Sequence, residues 1–86
     1  MEINVTQQDI DLGKRGECSL CPIALSIKRE HGKRALVQKL YLGVFKNEKT
    51  FTSWILPDAA VNFVLAFDSG LYVRPFKFKL TEKVYG

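Results

Sequence analysis

An α+β domain built on a small, mainly antiparallel sheet is predicted by three features of these 86 residues. Apolar side chains alternate at period two near both ends and between Leu36 and Leu56, as half-buried strands require. They recur at three- and four-residue spacing over 22–31 and again after Pro57, the period of an amphipathic helix. A polar stretch, Lys46-Asn47-Glu48-Lys49, separates two alternating runs and has the length of a hairpin loop. Two main helices are expected on one face of the sheet, with a short N-terminal helix beside them. Residues 1–86 are expected to form a single domain.

Residues 2–6 alternate and read as a short strand. Thr6 then precedes Q-Q-D-I-D-L with Asp9 three residues on, close to a capping box, so a short helix is expected over 7–12. Gly13 and Gly16 bracket Lys14-Arg15 as a turn. Pro22 suits a first helical position, where its missing N–H would have no partner anyway, and Gly32 suits a left-handed C-terminal cap. Between them Leu20, Ile23, Ala24, Ile27 and His31 are expected as one buried stripe, with Ser26, Lys28, Arg29 and Glu30 mostly toward water.

From Leu36 one strand is expected, with Leu36, Leu40, Leu42 and Val44 on one face and Val37, Lys39, Tyr41 and Phe45 on the other. T-F-T-S-W-I-L returns antiparallel to it. Pro57 and Asp58 open the most apolar helix, closed by Ser69-Gly70, whose core stripe is Ala60, Phe63, Val64 and Phe67. Val61 and Leu65 fall off that stripe, either widening the buried face or leaving an apolar strip for a partner. In the last strand Phe76, Phe78 and Leu80 face inward and Lys77 and Lys79 outward. Pro75 places it at an edge or a bulge.

Thirteen basic against nine acidic side chains give a net charge of +4. Residues 1–32 hold four basic and five acidic groups, and residues 33–86 hold nine and four, so the excess lies late in the chain. That balance permits an anionic partner without requiring one. No run of about 18 apolar residues is present to span a bilayer. The N-terminus is acidic and polar where a secretory signal would be basic and then apolar. A cytoplasmic protein with reduced thiols and no membrane partner is expected.

Cys18 and Cys21, the only cysteines, stand as C-S-L-C directly before Pro22, near a helix N-terminus that favours a thiolate. Three readings are open: half a metal site, a redox pair, or a helix start built from small buried residues. A zinc site needs about four ligands. His31 lies at the far end of the helix, on the order of 15 Å away at helical rise. Thioredoxin-like pairs directly follow a strand, whereas a Gly-bounded turn precedes this one. The sulfur pair is therefore read as architectural, with no metal and no cofactor. His31, beside Gly32, fits a helix C-terminus better than a general base. No phosphate loop, nucleophile elbow or metalloprotease helix occurs, so a non-enzyme is expected.

Two binding readings remain. A protein-docking surface would use Val61, Leu65, Tyr41 and Phe45, with lysines for steering. A single-stranded nucleic-acid surface would use Lys39, Tyr41, Phe45, Trp54, Lys77 and Lys79, with Phe51 joining according to register. Aromatics that pair across strands and lysines that protect edges are the structural alternative to both.

Three segments carry a family resemblance: V-T-Q-Q-D-I-D-L-G-K-R-G-E-C-S-L-C-P-I-A-L-S-I, then I-L-P-D-A-A-V-N-F-V-L-A-F-D-S-G, then P-F-K-F-K-L. Together they resemble a family of small bacteriophage and actinobacterial or prophage proteins of unknown function. Its pattern is V-T-x-x-D-I-x-x-G-x-x-G-x-C-x-x-C-P, then L-P-x-x-A-x-x-F-x-x-x-F-D-x-G, then P-F-x-F. The resemblance covers both ends and leaves the hairpin outside the pattern, and it assigns no residue a catalytic role. It implies a protein of the bacterial host cytoplasm that binds and blocks a host protein, defence machinery included, as an anti-CRISPR does. The basic, aromatic hairpin from Lys39 to Trp54 is where a partner-specific surface is expected.

Overall fold

In the computed structural model, which describes residues 1–84, eight elements follow in the order β1 (Glu2–Val5), α1 (Gln7–Leu12), α2 (Pro22–His31), β2 (Ala35–Val37), β3 (Tyr41–Phe45), β4 (Phe51–Ile55), α3 (Asp58–Asp68) and β5 (Phe76–Lys79). The α+β class is as expected. The strands form two antiparallel sheets rather than one, a pair β1-β5 and a triple β2-β3-β4.

Local chemistry explains the helices. The Thr6 hydroxyl accepts from the Asp9 N–H and the Asp9 carboxylate accepts from the Thr6 N–H, which is the capping box expected for α1. Pro22 opens α2 and Gly32 closes it at φ 67°, donating its N–H to the Lys28 carbonyl. Beyond α3, Gly70 and Leu71 donate back to Phe67 and Ala66, a Schellman closure. No basic side chain lies in the last turn of α3, and the need is met from elsewhere: Arg15 Nε donates to the Phe67 carbonyl at 3.1 Å. Gly13 is required by close approach, since a Cβ there would lie 2.7 Å from the Pro22 ring.

The pairing β1-β5 sets Ile3 opposite Phe78 and Val5 opposite Phe76. Phe78 and Leu80 are buried and Lys77 and Lys79 exposed, as the alternation requires. Phe63 of α3 stacks on Phe76 with ring centroids 4.7 Å apart, and Phe76 stacks on Phe78 at 5.3 Å. α2 touches both β1 and β2 and so bridges the sheets. Ile3, Val5, Ile23, Ile27, Leu42 and Leu80 form the centre of one shared core.

Three expectations change. The strand expected from Leu36 to Phe45 is a hairpin, turning at residues 38–40, where the Gln38 N–H donates to the Tyr41 carbonyl. That turn inverts the faces of its first half: Val37 is buried and Leu36 points to the outer side with Tyr41 and Phe45. In α2 the buried stripe is Ile23, Ala24 and Ile27, while Leu20 and His31 are exposed. Ser26 is buried instead of facing water, because its hydroxyl is satisfied by donating to the Ile23 carbonyl at 2.6 Å.

The outward backbone edge of β1 is closed by side chains from the end of α2. The Asn4 N–H donates to Glu30, the Asn4 carbonyl accepts from Arg29, and the His31 Nε2–H donates to the Glu2 carbonyl at 3.1 Å. The free edge of β4 is covered as well. The Ile55 N–H donates to the Glu82 carbonyl and the Val84 N–H to the Ser53 carbonyl, so residues 82–84 run alongside β4.

Candidate functional site

The outer face of the three-stranded sheet is the one that the helices leave open. In an antiparallel pair, residues directly opposite share a face, so the register assigns this face residue by residue. Phe45 opposes Phe51, Gly43 opposes Ser53 and Leu36, and Tyr41 opposes Ile55. The tail adds Val84 beside Ser53. Three rows therefore cross the strands. One row is Arg34, Phe45 and Phe51; the middle row is Leu36, Gly43, Ser53 and Val84; the third is Gln38, Tyr41, Ile55 and, from the tail, Glu82.

Gly43 and Ser53 carry almost no side chain at the centre, so the middle row is a trough between two apolar walls. It encloses about 340 Å³. A Cβ on Gly43 would meet the Phe51 ring at 3.2 Å, so even one methyl group would intrude on it. Phe45 and Phe51 hold one wall together, their centroids 5.4 Å apart. The Arg34 guanidinium lies 4.4 Å over the Phe45 ring and extends that wall with a cation. Phe51 is 56% exposed, and Tyr41 and Ile55 are also exposed.

Of the residues singled out from sequence, Tyr41 and Phe45 meet here, and Lys39 stands in the turn at the rim. Trp54 does not. It opposes Leu42 on the inner side and pairs with Lys83 of the tail, whose Nζ lies 5.3 Å from its ring centre. Lys77 and Lys79 belong to the other sheet, because β5 pairs with β1 and not with the hairpin. Val61 is half-buried against the core and offers little as an anchor, whereas Leu65 is 60% exposed on the far side of α3. The sheet face and Leu65 are separate surfaces of different elements. Sequence reasoning missed Leu36, Gly43, Ser53, Ile55 and Arg34. The signal available for them was the register that a Phe45–Phe51 hairpin end imposes.

The cysteines occupy a different place. Cys18 is exposed and Cys21 buried, both thiols are free, and both border a cleft of about 80 Å³ with Glu17 and Asp68. Burial pushes the Cys21 thiol up, and the Asp68 carboxylate pushes the same way. At Cys21 loss of hydration outweighs the backbone N–H groups of Ile23 and Ala24 that favour the anion. Among the described residues no three His, Cys, Asp or Glu side chains are grouped as a metal ion would need.

The one buried carboxylate among the described residues, Asp9, is fully engaged. Its oxygens accept from Arg29 at 2.9 and 3.2 Å and from the Thr6 cap. Burial alone would raise its pKa, but the bonds from Arg29 and Thr6 prevail and hold it below the ordinary 3.8. It ties α1 to α2 and is committed to structure. Among the described residues no helix is long and apolar enough to cross a membrane. Against family models, curated proteins and solved structures, the chain finds no match.

Proposed function

We propose that this chain is a non-enzymatic binding protein whose working surface is the outer face of the β2-β3-β4 sheet, and that its partner is another protein. The observation that carries the reading is the pair of apolar walls, Tyr41 with Ile55 and Phe45 with Phe51, on either side of the trough. A domain this small has few apolar side chains to spare from its core, and it leaves Tyr41, Phe51 and Ile55 exposed around the half-buried Phe45. Aromatic and arginine side chains at such a centre are what protein interfaces use as anchors. The resemblance of the sequence to small bacteriophage proteins supports a bacterial host protein as the target, defence machinery such as a CRISPR effector included, and the host cytoplasm as the place of action.

Capture from bacterial lysate tests this. Wild type retains a host protein reproducibly, Phe51→Asp loses it while remaining folded, and Leu65→Asp keeps it. Loss with Leu65→Asp and not with Phe51→Asp moves the surface to α3. Reproducible capture of nothing contradicts the reading.

A second reading, single-stranded nucleic acid, is favoured by one observation: Arg34 stacks on Phe45 beside two further exposed rings. Its support is thinner because Trp54, Lys77 and Lys79 lie elsewhere. Fluorescence anisotropy with labelled oligonucleotides across a salt series separates the two, since phosphate contacts weaken steeply as salt rises.

A further inference from the structure

We infer that the trough over Gly43 and Ser53 receives an amphipathic α-helix of the partner, seated by a row of apolar side chains at four-residue spacing and carrying acidic residues along one flank. The helix site rests on the sheet face being the docking surface and specifies what docks there.

Dimensions point to a helix ridge. Tyr41 and Phe45 are four residues apart on one strand, so the walls stand about 13 Å apart at their Cα atoms. A helix with its side chains is about 10–12 Å across, and the rings narrow the space further, so the cylinder rests on the walls and only one row of side chains descends. From Leu36 to Val84 the trough crosses three strand gaps, about 14 Å in all. Helix positions i, i+4 and i+8 span about 12 Å, which fits that length.

Backbone chemistry excludes an extended occupant. The trough is lined by Leu36, Tyr41, Phe45, Phe51 and Val84, and its polar side-chain groups are those of Ser53 and Gln38 and the Tyr41 hydroxyl. An extended chain laid there would bury N–H and C=O groups without partners. A helix satisfies its own. Strand addition at β4 is blocked by residues 82–84, and on β2 the Val37 N–H is already bonded to the Cys18 carbonyl.

Charge supplies the flank. Residues 33–55 hold five basic side chains and one acidic, a local excess equal to the net charge of the whole chain. Arg34 sits on the Phe45 wall, and Lys46 and Lys49 lie in the loop beyond it. The acidic flank therefore belongs on the Phe45–Phe51 side. The same excess opposes a second copy of this chain, because two such faces would repel.

Selection of displayed random peptides of about 16 residues, some four helical turns, on the full chain tests the inference. The expected winners carry apolar residues at i, i+4 and i+8 with Asp or Glu on one flank. They gain helical circular dichroism on binding and weaken as salt rises. Gly43→Val, which fills the floor, reduces their affinity by about tenfold or more in a chain that remains folded. Ser53→Leu serves the same purpose if Gly43→Val fails to fold, and Arg34→Glu weakens binding while favouring a basic flank. Winners that are extended, Pro-rich or basic, or that ignore both floor variants, overturn the helix. If such winners still lose binding with Phe51→Asp, the sheet face stands and only its occupant changes. If no winner responds to Phe51→Asp, both fall. Enrichment of nothing, concentration-dependent dimerisation abolished by Gly43→Val, or preferential binding of oligonucleotides to this face also overturns the helix.

Discussion

Phe63, Phe67, Phe76 and Phe78 stack beneath α3 with centroids 4.7 to 6.2 Å apart. Tyr41, Phe45 and Phe51 stand on the outer side of the hairpin, where none of the described helices or strands lies over them. Phe76 and Phe78 on β5 share one face of their strand, as Tyr41 and Phe45 do on β3. Alternation states which residues share a face, and only the placement of a helix decides which face is covered. Inner rings are committed to stability, whereas outer rings are available for binding.

The largest expected effect tests that division. Phe63→Ala should cost about 3–5 kcal/mol as a core truncation, close to the whole stability of so small a domain, about 5 kcal/mol. Phe51→Ala should stay within about 0.5 kcal/mol, as surface changes do. Urea unfolding of the pair reads the contrast, and comparable losses would break it.

Asp9→Ala sharpens the covered side, removing the carboxylate arm of the α1 capping box and the partner of Arg29, while the Thr6 hydroxyl keeps the residue-9 N–H. A loss of about 2 kcal/mol is expected, at the upper end for a cap, with the Arg29 share kept small because that guanidinium is 39% exposed. The pH dependence has a definite sign. The folded carboxyl lies below its ordinary 3.8, so its contribution is full above 3.8 and fades as pH falls through the lower folded value. Wild type and variant should therefore converge in acid. Thiol accessibility comes next: one thiol, Cys18, should react quickly with a disulfide reagent in the folded protein and Cys21 only after unfolding. Two fast thiols would remove Cys21 from the covered half. Smallest is Gly43→Ala, within about 0.5 kcal/mol, because the backbone entropy gained is offset by the 3.2 Å contact that the exposed Phe51 ring must relieve.

Much of the fold was legible because its signals are local. Thr6 with Asp9, Pro22 and Gly32 mark helix ends by hydrogen bonds within a few residues, and those boundaries came out at 7–12 and 22–31. The turn at 38–40 carries no Gly, Pro, Asn or Asp, so Gln38-Lys39-Leu40 read as strand. Separation into two sheets was hidden for a different reason: β1 and β5 pair across more than seventy residues, which no local period records. That Tyr41 and Phe45 share a face was legible because their four-residue separation holds within one strand. Trp54 was misplaced because its face depends on which residue it opposes.

The most direct measurement is titration of the lysate-captured partner against wild type and Phe51→Asp, with melting temperatures in parallel. Equal melting temperatures with affinity reduced by about 30-fold or more, the scale of an interface anchor, is the predicted result. Equal affinity from a folded Phe51→Asp protein would contradict the assignment of the outer sheet face as the working surface.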